Sequence, residues 1–151
     1  MKLSIIILAA GQGTRMNSAR PKVLHPLGGR PLLAHVLDTA RSLQGTDIHV
    51  VIGHGAELVR DVLPESDIHW VLQEEQLGTG HAVAQAMPAV PDENTVLVMY
   101  GDVPLISKQT LEPLCQMAAQ GIAALLSAEM DDPAGYGRIL HHADGSISGI
   151  V

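Results

Sequence analysis

The string Leu8-Ala9-Ala10-Gly11-Gln12-Gly13-Thr14-Arg15-Met16, followed by Arg20-Pro21-Lys22, sets an almost side-chain-free loop between an apolar segment and a group of cations. Ala9, Ala10, Gly11 and Gly13 leave room for backbone N–H groups to approach a polyphosphate as a nest, and Arg15 and Lys22 add charge that small residues cannot supply. A carboxylate, Asp102, ends the apolar run Thr95-Val96-Leu97-Val98-Met99-Tyr100-Gly101. A lone aspartate beside a polyphosphate suits Mg²⁺, which takes one or two carboxylates and fills its remaining positions with phosphate oxygens and water. The third string is Leu72-Gln73-Glu74-Glu75-Gln76-Leu77-Gly78-Thr79-Gly80-His81-Ala82. The Gln73 amide carries a donor and an acceptor that match O4 and N3–H of uracil, while cytosine and adenine present a different order of groups. Gly78 and Thr79 let the backbone come close to a base or ribose where a helix begins.

The familiar phosphate loops do not fit. Met16 stands where the dinucleotide fingerprint needs its third glycine, and no Gly-Lys-Ser/Thr follows at the spacing of an ATPase loop. The eight histidines are scattered without zinc spacing, and Glu74-Glu75 and Asp131-Asp132 read as solvated loops. The single cysteine, Cys115, lies at helical spacing with Leu111, Leu114 and Ala118 and reads as a buried structural thiol. A net charge of −7 and an aromatic content of 2% argue against nucleic acid, which needs a broad basic face and stacking platforms. Charge is unevenly distributed: residues 1–41 hold Lys2, Arg15, Arg20, Lys22, Arg30 and Arg41 against one acid, Asp38. Such a cationic stretch suits a small polyanion. The apolar run Ile5 to Ala10 is too short to span a membrane and has no convincing cleavage site after it, so a cytoplasmic location is expected.

The elements that must position these residues alternate. Lys2 to Leu8 reads as a buried parallel strand, Pro31 to Leu43 as a helix with proline in its first turn, and Ile48 to Ile52 as a second strand. Further on, the pattern predicts helices over Ala56–Leu63 and about Gly80–Met87, strands over Ile68–Leu72 and Thr95–Tyr100, a helix capped by Ser107 and running through Ala119, and a strand over Ile122–Ser127. Residues 138–142 and the terminal Ser146–Val151 also look extended. This alternation predicts one α/β domain over residues 1–151, a doubly wound, mostly parallel Rossmann-like sheet with ligands at the carboxyl ends of its strands.

The glycine string with its downstream Pro-Lys resembles the signature of nucleotidyltransferases that join a nucleoside triphosphate to a sugar phosphate, the nucleotide-diphospho-sugar transferase type. Pro21-Lys22-Val23-Leu24-His25, Gly53-His54-Gly55, Gln76 to Ala82, Tyr100 to Leu105 and Gly135-Tyr136-Gly137-Arg138 extend the likeness over the whole chain. Together they resemble the uridylyltransferase (pyrophosphorylase) domain family of bifunctional bacterial enzymes that make UDP-N-acetylglucosamine. The resemblance implies UTP and N-acetylglucosamine 1-phosphate as substrates, pyrophosphate as product, Mg²⁺ as cofactor, and a role toward peptidoglycan and lipopolysaccharide. It places Leu8, Ala9, Ala10, Gly11, Gly13, Lys22, Gln73, Gly78 and Thr79 around the nucleotide, Asp102 at the metal, and Tyr100, Gly101 and Gly137 toward the sugar.

Attack on the α-phosphorus needs no protein nucleophile, because the obstacles are charge repulsion and alignment. Arg15 and the loop amides are expected to stabilise the departing pyrophosphate and Lys22 to hold phosphate oxygens near the reacting centre. The resembling domain continues beyond the position of Val151 with a glutamate, then two asparagines of the sugar and metal sites, and a β-helix acetyltransferase domain that assembles as a homotrimer. The chain is therefore expected to hold the nucleotide half of a truncated domain, incomplete on its carboxyl side, and to recognise UTP better than sugar phosphate. A transferase for another nucleotide, of the molybdopterin guanylyl- or cytidylyltransferase type, and a non-catalytic nucleotide-binding fragment are the competing readings.

Overall fold

The computed structural model describes residues 2–11, 13, 18–43 and 46–151. Four parallel strands, β1 (Leu3–Ala9), β4 (Thr46–Ile52), β5 (Ile68–Leu72) and β6 (Thr95–Tyr100), form the central sheet in the order β5-β4-β1-β6. Two short antiparallel pairs stand apart from it: β2 (Pro26–Leu27) with β3 (Arg30–Pro31), and β7 (Ile139–His141) with β8 (Ile147–Ile150). The helices are α1 (Leu32–Ser42), α2 (Ala56–Val62), α3 (Thr79–Ala86) and α4 (Lys108–Ala118).

The strand β1 is apolar on both sides because both its faces are covered. Leu3, Ile5, Ile7 and Ala9 pack with Leu33, Val36, Leu37 and Ala40 of α1, Val59 of α2 and Leu111 and Cys115 of α4. Ile6 and Ala10 point the other way, to Ala82 and Ala86 of α3 and to Val90. The period-2 alternation of a strand thus feeds two cores, and the sheet is doubly wound as expected. The chain moves outward from β1 through β4 to β5 and then returns to β6 on the far side of β1. The order reverses between β1 and β6, the place where an open α/β sheet leaves a crevice at its carboxyl edge.

Two expectations about elements are corrected. Pro31 is not inside the first turn of α1: it ends β3 and stands at the N-cap with ψ 145°, an extended conformation. Residues 122–127 form no strand, although Ile122 to Leu126 is an apolar run. Ala124, Leu125 and Leu126 instead line the edge of a cleft beside β6 and α4 without joining a hydrogen-bonded ladder, Ala124 half-buried and both leucines exposed. Ser107 does cap α4, its Oγ accepting from the Thr110 N–H at 3.3 Å. Among the described residues no helix is long and apolar enough to cross a membrane.

Candidate nucleotide site

A cleft of about 460 Å³ opens at the carboxyl edge of the sheet, at the reversal between β1 and β6. Leu8, Ala9, Ala10, Gly11 and Gly13 enter it from the end of β1; Tyr100 and Asp102 enter from the end of β6. Gln73, which follows β5, and Gly78 and Thr79 at the start of α3 close another side, and Lys22 and Val23 come from the 3₁₀ turn Lys22–Leu24. The sheet topology thus gathers four separate stretches of sequence at one edge. Every described residue expected at the nucleotide lines this cleft.

The centre of the site is an ion pair. Lys22 Nζ lies 2.6 Å from Asp102 Oδ2, with the two side chains 42% and 29% exposed toward the cleft. Two glycines hold the lysine there. A Cβ on Gly13, which has φ 60°, would come within 3.0 Å of Lys22 Cβ, so only glycine lets the loop close on the lysine. At Gly55, the left-handed N-cap of α2 with φ 71°, a Cβ would meet Pro21 Cγ at 2.6 Å, so α2 seats the residue just before Lys22.

Gln73 is 3% exposed, although it lies just beyond β5 in a loop. Its Nε2 is 2.9 Å from His81 Nδ1 and 3.3 Å from the carbonyl oxygen of Gly78. The amide is therefore fixed against the first turn of α3. Gly78 takes the N-cap position with φ 103°, and Thr79 is the first residue of the helix rather than its cap.

Other expected residues stand elsewhere. Arg15 lies outside the described residues. Gly101 is buried beneath the cleft, where a Cβ would meet Leu8 O at 3.2 Å and Val23 Cγ1 at 3.1 Å, so it sets a close backbone approach rather than lining the site. Gly137 sits beside Ile150 on the β7–β8 hairpin and does not line the cleft. The cationic start of the chain is also less concentrated than its sequence suggests. Lys2 pairs with Glu93, Arg30 with Asp38, and Arg41 with Glu65 and Asp67, which leaves Lys22 as the cation that lines the cleft among the described residues. Val23, Gln76 and Ala82, which lie inside the strings that carry the resemblance, line it too.

The donor set can be tested against a divalent ion. Asp102 has one oxygen on Lys22 and no hydrogen-bond partner on the other among the described residues. Nor do the described residues contain a group of three or more histidine, cysteine or acidic side chains able to hold a metal. A single half-open carboxylate fits a hard ion that draws most of its ligands from phosphate and water, and does not fit a cage made wholly of protein. Cys115, 3% exposed, has its thiol pKa raised by burial and takes no part in the site.

A strand-to-glycine-loop turn, a lysine–aspartate pair and a buried glutamine at one sheet edge define a nucleotidyltransferase domain. Residues 5–143 match the family model of the MobA-like NTP transferase domain, and the chain belongs to that family. The sequence is 58% identical over its full length to Bifunctional protein GlmU of Pseudomonas putida and 56% identical to Bifunctional protein GlmU of Pseudomonas fluorescens. It spans one third of the length of each, 33%. Among solved structures, the complex of Rv0371C with manganese from Mycobacterium tuberculosis superposes with a TM-score of 0.68, covering 80% of this chain and 61% of its own, at 24% identity. At that identity the likeness shows the shared fold.

Proposed function

We propose that the domain transfers a uridylyl group from UTP to a sugar 1-phosphate, N-acetylglucosamine 1-phosphate, with release of pyrophosphate. The observation that carries this reading is the cleft itself, which brings the glycine loop, the Lys22–Asp102 pair and the buried Gln73 amide to one sheet edge. The likeness to proteins named GlmU supports the sugar substrate.

In the reaction a phosphate oxygen of the sugar phosphate forms a bond to the α-phosphorus of UTP, and the bond from that phosphorus to the bridging oxygen of the β-phosphate breaks, so the electron pair leaves with pyrophosphate. The loop amides from Ala9 to Gly13, with Arg15, hold the β- and γ-phosphates and spread the charge that builds on them. Lys22 turns from Asp102 to phosphate oxygen as the nucleotide enters, because a polyphosphate offers it more charge than one carboxylate does. Asp102, released from Lys22, would hold Mg²⁺, which supplies charge neutralisation and alignment of the two phosphates when bound. Gln73 and the start of α3 receive the base. Tyr100, at the mouth, is left to face the sugar.

Mg²⁺-dependent pyrophosphate release measured across UTP, CTP and GTP with several sugar 1-phosphates tests the reading. The expected outcome is a preference for UTP with N-acetylglucosamine 1-phosphate. A preference for GTP or CTP would transfer the domain to another branch of the family, and UTP binding without turnover on any acceptor would leave a nucleotide-binding module.

A further inference from the structure

Both ring nitrogens of His81 are held by glutamine side chains, Gln73 Nε2 lying 2.9 Å from Nδ1 and Gln85 Nε2 lying 3.1 Å from Nε2. A neutral imidazole has one N–H and one bare nitrogen, so it accepts from only one of two amide NH₂ groups. The other amide must turn its oxygen to the ring. The Gly78 carbonyl decides which one, because it lies 3.3 Å from Gln73 Nε2 and a carbonyl can only accept. Gln73 therefore keeps its NH₂ toward Gly78 and His81, and His81 accepts at Nδ1 and carries its proton on Nε2. Gln85, exposed one turn further along α3, has its amide nitrogen at that atom and turns over to present its oxygen to the proton.

For Gln73 the consequence is definite. Its two amide hydrogens are both committed inside the protein, and its Oε1 has no partner among the described residues while the side chain lines the cleft. The amide meets a ligand as an acceptor alone, which narrows the donor-plus-acceptor pairing expected from its residue type. Turning it over would set Oε1 against the Gly78 carbonyl, an acceptor-to-acceptor contact in a buried place, and would require the opposite tautomer of His81.

We propose that His81, kept in its Nε2–H tautomer by Gln85, is a positioning residue that locks Gln73 Oε1 toward the cleft, so that the site takes a base with a ring N–H at that edge and rejects one with a bare nitrogen. Uracil N3–H is of the first kind and cytosine N3 of the second. The inference rests on the reading of the cleft as a uridine nucleotide site.

Calorimetric titration of the full chain with UTP and with CTP, each with Mg²⁺, tests it in the wild type, His81→Ala and Gln85→Leu. The wild type is expected to prefer UTP, and the UTP-to-CTP affinity ratio to fall by about three- to tenfold in His81→Ala, the scale of one neutral hydrogen bond, with a smaller fall in Gln85→Leu. Equal weakening of both nucleotides in His81→Ala, with the ratio kept, would overturn the positioning role and leave the uridine reading standing. A wild type without preference for UTP would remove both. Long-range ¹H–¹⁵N NMR of the wild type decides the matter even if the variants fail to fold: His81 is expected to be protonated on Nε2 and bare on Nδ1, and the opposite tautomer sinks the proposal.

Discussion

Lys22 and Asp102 stand 80 positions apart in the chain and 2.6 Å apart in space, yet each is partly open to solvent. A pair so exposed contributes little to folding, about 0–1 kcal/mol. On the proposed reading, its worth lies in holding a cation and an anion where phosphate and a divalent ion would bind. Lys22→Ala and Asp102→Asn are therefore expected to lower Mg²⁺-dependent pyrophosphate release by about a hundredfold or more while barely moving the thermal midpoint; near-normal turnover in both purified proteins would remove them from the site. Gly55→Ala should behave in the opposite way. It places a Cβ 2.6 Å from Pro21 Cγ on a backbone with φ 71°, so a stability loss of at least about 1–3 kcal/mol is expected in urea unfolding, with weaker nucleotide binding because Pro21 carries Lys22.

Among the elements, α4 shows both a device that starts a helix and one that opposes it. Ser107 caps the Thr110 N–H, and Ser107→Ala should cost about 1 kcal/mol. Pro113 sits inside the same helix, exposed, where it removes a backbone donor. Pro113→Ala is expected to stabilise the protein, by up to about 3 kcal/mol, read as a higher urea midpoint with an unchanged slope. A lower midpoint would mean that the ring makes packing contacts worth more than the lost hydrogen bond. The alternating elements were legible because strands buried on both faces leave continuous apolar runs, as Ile5 to Ala9 does, and because Ser107 announces a cap. The run Ile122 to Leu126 misled for a related reason: an apolar segment lying largely exposed beside β6 and α4 has the composition of a strand, and only the hydrogen-bond ladder separates the two.

Over the whole molecule, surface charge links folding to acid. The Arg41 guanidinium hydrogen-bonds Asp67 at 2.7 and 2.8 Å and holds its carboxyl below the usual range. Glu93 is lowered by its own backbone N–H and by Lys2, and Asp144 by the Ser146 hydroxyl. A carboxylate depressed in the folded state gives stability that is fully present above its ordinary pKa, about 4, and is lost as pH falls through the folded value. Thermal midpoints should therefore fall below about pH 4, and Asp67→Asn should flatten that acid limb by a small amount, since the pair is exposed. An unchanged acid limb in that variant would show that Asp67 keeps its ordinary titration. Residue type and order alone determined the α/β class, the glycine loop, the metal-suited carboxylate and a glutamine beside a helix start, because phosphate approach, hard-ion binding and two-faced burial each require particular side chains at particular steps along the chain. Only the tertiary structure decided which of these meet. Strand order brought β6 next to β1 and so Asp102 to Lys22; side-chain packing away from the cleft drew three of the six early cations into ion pairs, and Gly137 stands beside a separate hairpin. The tertiary structure also turned Gln73 from a two-sided reader into an acceptor through His81, a contact across eight residues that no local pattern encodes because it depends on where α3 leaves the sheet.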